Sequence, residues 1–202
     1  PRTRGTLVAS PGSSPLMAGP LLGIRPPDQV LFRGNPATFT VVNDNLIRYA
    51  QAALQRGAAG IFLSVPASTE FVSRDQYERF MRPYDLALLE AIRGRGTLHV
   101  LHAHGNHIFF DQMIDYPVQA LSWADRDSGP TLGEARRRTD LALMGGISQG
   151  RFAYESAAHI RGQIRGALAD AGREKLFLAP GCALPSYTFP ELIHAARDAA
   201  TR

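Results

Sequence analysis

Two histidines in His102-Ala103-His104 and the chain's only cysteine, Cys182, are the side chains whose types and placement could do chemistry together. The histidine pair follows the apolar run Leu98–Leu101, and Cys182 follows Leu176–Ala179 through Pro180-Gly181. Imidazole nitrogen and thiolate sulfur are zinc donors, and three protein donors leave a tetrahedral ion one open position, as catalytic rather than structural zinc sites do. Residues i and i+2 of an extended strand share a face, so His102 and His104 converge if the backbone stays extended to Gly105. Cys182 can join them if its strand runs parallel to theirs and ends on the same side. Gly105 and Gly181 would allow the close backbone turns this needs.

Other polar residues near these strand ends are weaker candidates. Asp125 and Asp127, just past Ala120–Trp123, could line the same mouth and touch substrate or the histidines. His107 could face substrate or the ligands. His99 alternates out of phase with His102 and reads as structural or exposed, His159 and His194 as helix-surface residues, and Trp123 as core.

The elements that must position these residues are short apolar runs alternating with segments of helical period, the pattern of repeated βα units and a parallel sheet. Strands are expected at Thr6–Ala9, Gly60–Leu63, Leu98–Leu101, Ala120–Trp123, Leu141–Met144 and Leu176–Ala179. The spacing predicts a helix from Asp44 to Gly57, carrying Leu46, Ile47, Ala50, Ala53 and Leu54 on one face. Ser73-Arg74-Asp75-Gln76 has the form of a capping box and opens a second, running to Ile92. Further helices are expected over Ile108–Asp115, Leu132–Arg138, Ala153–Ala171 and Phe189–Ala200. Pro11–Pro36 has no period, but Leu16, Met17, Leu21, Leu22 and Ile24 favour a long ordered loop over a disordered linker. Gly145-Gly146 reads as a tight turn between strand and loop. On pattern alone a doubly wound sheet and an incomplete barrel both remain open. No G-x-G-x-x-G follows a strand and no P-loop motif occurs, so the usual nucleotide-binding reasons for a doubly wound sheet are missing.

Composition sets the class. The chain has 202 residues, 45% of them hydrophobic and 20% charged, which suits one globular domain. Its net charge of +4 comes mostly from arginines scattered along the chain, without the basic and aromatic pattern of a nucleic-acid-binding surface. One cysteine cannot form an internal disulfide, which favours a reducing compartment. No apolar run reaches the roughly 20 residues of a membrane span. A cytoplasmic protein is the simplest expectation. The chain begins at Pro1 rather than methionine, which leaves open a processed product or part of a longer one.

Several stretches carry a family pattern in order: Tyr49-Ala50-Gln51-Ala52-Ala53 through Gly57-Ala58-Ala59-Gly60-Ile61-Phe62, Phe80-Met81-Arg82-Pro83-Tyr84, Leu121-Ser122-Trp123-Ala124-Asp125 with Ala135-Arg136-Arg137, and Leu143-Met144-Gly145-Gly146-Ile147. The last is Pro180-Gly181-Cys182-Ala183-Leu184-Pro185 with Phe189-Pro190-Glu191. Together they resemble the uroporphyrinogen decarboxylase superfamily, which includes zinc-dependent methylcobamide:thiol methyltransferases. The resemblance implies a (β/α)8 TIM-type barrel, of which residues 1–202 would be the C-terminal six βα units, with the first one or two missing. In the methyltransferase branch the zinc ligands are H-x-C and a later cysteine. His102 and Cys182 match the first and last, and His104 stands where the middle cysteine would be. One thiolate and two imidazoles leave a bound zinc formally at +1 rather than neutral, which favours holding a thiol substrate as its thiolate.

The resemblance thus implies methyl transfer from a corrinoid, brought by a partner protein, to a small-molecule thiol. A decarboxylase acting on a tetrapyrrole without metal is the alternative. The decarboxylases' arginine-rich N-terminal motif is absent, and Arg25, Arg33, Arg74 and Arg126 are the loop arginines that could serve instead. A third reading is a non-catalytic module that docks with a partner, or with itself as a homo-oligomer, through exposed sheet edges.

Overall fold

Helix and strand alternate through the computed structural model, which describes residues 6–10 and 36–201. The strands are β1 Thr6–Ser10, β2 Ala58–Val65, β3 Val100–Ala103, β4 Ala120–Ser122, β5 Ala142–Ile147 and β6 Leu176–Pro180. The helices are α1 Pro36–Gln55, α2 Arg74–Phe80, α3 Arg82–Ala91, α4 Phe110–Met113, α5 Asp125–Ser128, α6 Leu132–Arg136, α7 Ala157–Ala171 and α8 Pro190–Ala200. The expected loop over Pro11–Pro36 lies, but for Pro36 itself, outside the described residues.

All strand pairs are parallel, and the sheet runs β1-β2-β3-β4-β5-β6 without reversal. A doubly wound sheet reverses its strand order at a switch point. This sheet has no such point, so of the two architectures left open by pattern, the barrel-type winding is the one formed. Register then sorts the side chains into two faces. Leu63, Leu101, Leu121, Leu143 and Leu176 lie side by side across five strands. The first four are fully buried, in one cluster with Leu88, Ile92, Met113, Leu132 and Ala167 from the helices. Burying each such leucine contributes about 1.5–3 kcal/mol. The core therefore fills the space between sheet and helices. The neighbouring row, Ser64, His102, Ser122 and Met144, has the opposite orientation and lines the other face.

Differences from the expected elements have local causes. Helix α1 begins at Pro36, eight residues before Asp44, with proline in the first position, where its missing N–H costs nothing. The Ser73 capping box forms, with Ser73 Oγ accepting from Gln76 N–H at 3.2 Å and Gln76 Oε1 from Ser73 N–H at 2.8 Å. The helix it opens breaks into α2 and α3 at Met81, because Pro83 has no N–H to continue the ladder. Ser156 caps α7 through His159 N–H, so the segment from Phe152 to Tyr154 is a separate 3-10 turn. Helices α4 and α6 are shorter than expected. Gly145-Gly146 is not a turn after the strand but part of β5. Tyr77 and Tyr116 both donate to the buried Asp85 carboxylate, at 3.1 and 3.2 Å, tying α2 and α3 to the segment before β4.

Candidate metal centre

β3 carries His102 in its last turn of pleat, and His104 lies one residue past its end. The His104 N–H donates to Val65 O at 2.8 Å, so the ladder with β2 extends one residue further and keeps both histidines on one side. Gly105 then turns the chain at a φ of 96°, and a Cβ there would lie 2.3 Å from Ser68 Oγ. Cys182 follows β6, anchored by a 3.0 Å bond from Gly181 N–H to Ile147 O. A side chain at 181 would stand 2.6 Å from Ala124 Cα and 2.7 Å from Gln149 Oε1, so only glycine lets the chain pass.

These two strand ends bring the three predicted donors together. The ligand atoms of His102, His104 and Cys182 all lie within 4.8 Å of one another, and Cys182 Sγ is 3.7 Å from His104 Nδ1. With zinc bonds of about 2.0–2.3 Å, tetrahedral donors lie roughly 3.3–3.7 Å apart. The sulfur and His104 already sit at that spacing, and no donor pair of the trio is more than 4.8 Å apart. Donor type, number and separation therefore fit zinc.

The surroundings orient each ring. His102 is 4% exposed, and its Nδ1 is 3.1 Å from Oγ of Ser122, itself 2% exposed. This occupies one ring nitrogen and leaves Nε2 for the cluster. Phe62 stacks on His102 at 5.4 Å and Phe71 on His104 at 5.5 Å between ring centroids. The imidazoles of His102 and His104, with the backbone N–H of Ala183, pull the Cys182 thiol down to about 5 against the opposing effect of burial. Its hydrogen bond to Cys182 in turn raises His104, with Glu70 adding a smaller push in the same direction. Thiolate is the metal-binding and nucleophilic form of cysteine.

The trio opens onto a cavity of about 410 Å³ walled by Phe62, Ser64, Met144, Pro180 and Ala183. Asp125, Asp127 and His107 are not among the residues lining it. Asp125 is buried against β5, where its Oδ1 accepts from Gly146 N–H at 2.8 Å, and burial raises its carboxyl to about 6. Asp127 accepts from Ser148 Oγ at 2.9 Å. His107 is exposed at a loop position of positive φ. His99 is buried and structural: its Nδ1 accepts from Ile61 N–H at 3.2 Å and its Nε2 donates to Arg95 O at 2.8 Å. Trp123 is fully buried and donates to Pro130 O. Of the loop arginines, Arg126 bonds Gly146 O and Gln163 O, and Arg74 stacks on Phe109, while Arg25 and Arg33 lie outside the described residues.

Sequence reasoning missed Ser122, Phe62 and Phe71. The signal for Ser122 was its place at the end of a strand like that of His102. Only the register, which sets Ser122 directly beside His102, turns that into a contact.

Among solved structures, the chain is similar to a methyltransferase from Methanosarcina mazei, with a TM-score of 0.72 and 22% identity, over 82% of this chain and 48% of that one. A B12-independent methionine synthase from Shewanella sp. W3-18-1 matches with a TM-score of 0.50 and 15% identity, over 79% of this chain and 53% of that one. A putative vitamin-B12 independent methionine synthase from Listeria monocytogenes matches with a TM-score of 0.56 and 16% identity, over 88% and 62%. The chain thus spans about half the length of the structures it matches, and at these identities the likeness is one of fold, that of part of a TIM-type barrel. No curated protein matches it in sequence. Among the described residues, no helix is long and apolar enough to cross a membrane. Residues 37–202 match the family described as Uroporphyrinogen decarboxylase (URO-D), and the chain belongs to that family.

Proposed function

We propose that residues 1–202 form a barrel-type domain in which His102, His104 and Cys182 hold one zinc ion, and that this site serves methyl transfer from a corrinoid to a small-molecule thiol. The observation that carries the proposal is the convergence of two imidazoles and a thiol, from strand ends about 80 residues apart, on one cavity. Fold neighbours named as a methyltransferase and methionine synthases are in keeping with it. The corrinoid would come on a partner protein, as the family resemblance implies, and one free thiol suits a reducing, cytoplasmic setting.

Zinc held by His102, His104 and Cys182 would supply a Lewis acid that lowers the pKa of a substrate thiol. The chain's own residues prepare the place for it. Cys182 is held as thiolate at neutral pH and so needs no proton removed before it binds a metal. Ser122 takes Nδ1 of His102, which fixes the ring's orientation and presents Nε2. Phe62 and Phe71 limit tilting of the two imidazoles. Phe62, Met144, Pro180 and Ala183 give the cavity beside the ligands an apolar wall, which lowers the local dielectric and strengthens the charge interactions next to it.

The test combines zinc-loaded protein with methylcobalamin and a thiol, and follows cobalamin demethylation by absorbance. Zinc-dependent demethylation, abolished by His102→Ala and by Cys182→Ala, is expected. Demethylation that ignores both zinc and these substitutions overturns the proposal, as does decarboxylation of uroporphyrinogen by the metal-free protein.

A further inference from the structure

We infer that the thiol taken by this site is short and uncharged, with an alkyl body rather than one ending in a carboxylate or sulfonate. The inference rests on the zinc and thiol reading above and adds the substrate class. Its basis is the wall of the cavity that adjoins the trio. Phe62, Met144, Pro180 and Ala183 present carbon and sulfur to it, and the hydroxyls of Ser64 and Ser122 are its polar groups apart from the ligands. Among the described residues, no arginine or lysine lines it.

Two arginines on the loops at the same end of the sheet, among the described residues, are held elsewhere: Arg126 donates to Gly146 O and Gln163 O, and Arg74 lies over the Phe109 ring at 5.2 Å. A thiol whose far end is anionic would therefore place an unpaired charge against carbon, while an alkyl end would bury apolar surface against Phe62 and Met144. The one negative charge the site invites is the sulfur itself, which balances the net +1 of zinc, two imidazoles and one thiolate.

The experiment loads the protein with cobalt(II) in place of zinc and titrates it with butanethiol and with mercaptopropionate, which have similar length and thiol environment. Binding is read from the sulfur-to-cobalt charge-transfer band. Butanethiol is expected to bind about tenfold more tightly or better, since the carboxylate end finds no partner. Equal or tighter binding of mercaptopropionate overturns the inference and leaves the zinc and thiol reading standing. A protein that takes up no cobalt, or whose cobalt spectrum neither thiol changes, overturns both.

Discussion

Replacing Ser122 by alanine should weaken zinc binding by about 10–100-fold without unfolding the protein. Ser122 does not touch the metal position. Its hydroxyl sits 3.1 Å from Nδ1 of His102, and both side chains are nearly inaccessible, at 2% and 4% exposure. Removing the hydroxyl leaves a buried ring nitrogen without a partner, a loss of about 1–3 kcal/mol. In the metal-free protein the imidazole can turn to recover part of it, within the limits set by Phe62. Once Nε2 is committed to an ion the ring cannot turn, so the cost falls mainly on the bound state. The expected affinity loss corresponds to about 1.4–2.7 kcal/mol, at about 1.4 kcal/mol per tenfold change. The assay is competition for zinc against a chromophoric chelator, with urea unfolding of the metal-free protein run in parallel. Ser64→Ala is the comparison, because Ser64 flanks His102 in register on β2 as Ser122 does on β4. It should change zinc affinity by less than about threefold, since no bond ties it to the ring. Unchanged affinity in Ser122→Ala, or an equal loss in Ser64→Ala, would refute the orienting role.

Alkylation of the metal-free protein by iodoacetamide should rise with pH around a midpoint near 5, because His102 and His104 stabilise the Cys182 thiolate. His102→Ala and His104→Ala should each move that midpoint upward, and a midpoint near the ordinary 9.0 in the unaltered protein would show that the thiol is not so held. Asp125 carries the opposite linkage. Burial raises its carboxyl from 3.8 to about 6, so the folded state holds the proton more tightly than the unfolded one. Its contribution to stability is complete below about pH 3.8 and is lost as pH rises through about 6, by about 3 kcal/mol in all. Asp125→Asn keeps an acceptor for Gly146 N–H and should remove that pH dependence. Urea unfolding at about pH 4 and pH 7.5 measures the difference, and parallel profiles for the two proteins would contradict it.

How much of this could be read from the residues depended on whether the information was local. The six apolar runs are local, and all six are strands. The convergence of His102 and His104 followed from the period of a strand, and that of Cys182 from the common direction of parallel strands. What could not be read depends on neighbours brought in by the fold. Gly145-Gly146 looks like a turn in isolation, yet it is strand because it pairs with Leu178 and Ala179 of β6, and it is glycine because the Asp125 carboxylate packs on it, where a Cβ on residue 145 would lie 2.5 Å from Oδ1. The same contact removes Asp125 from the mouth where its position after a strand had placed it. For His99 the strand period left structural and exposed both open, and only the fold decides for structural, because its partners Ile61 and Arg95 belong to a neighbouring strand and a preceding turn. Phe71 stacks on His104 from a loop 33 residues earlier, a distance no periodicity spans.

The central claim is that two imidazoles and one thiolate form a zinc site, and metal content tests it most directly. Plasma mass spectrometry of protein reconstituted with zinc and freed of excess metal should find about one zinc per chain. His102→Ala and Cys182→Ala should each reduce this to background while circular dichroism shows the fold retained. A protein that binds no zinc, or one that binds it equally well after both substitutions, would contradict the claim.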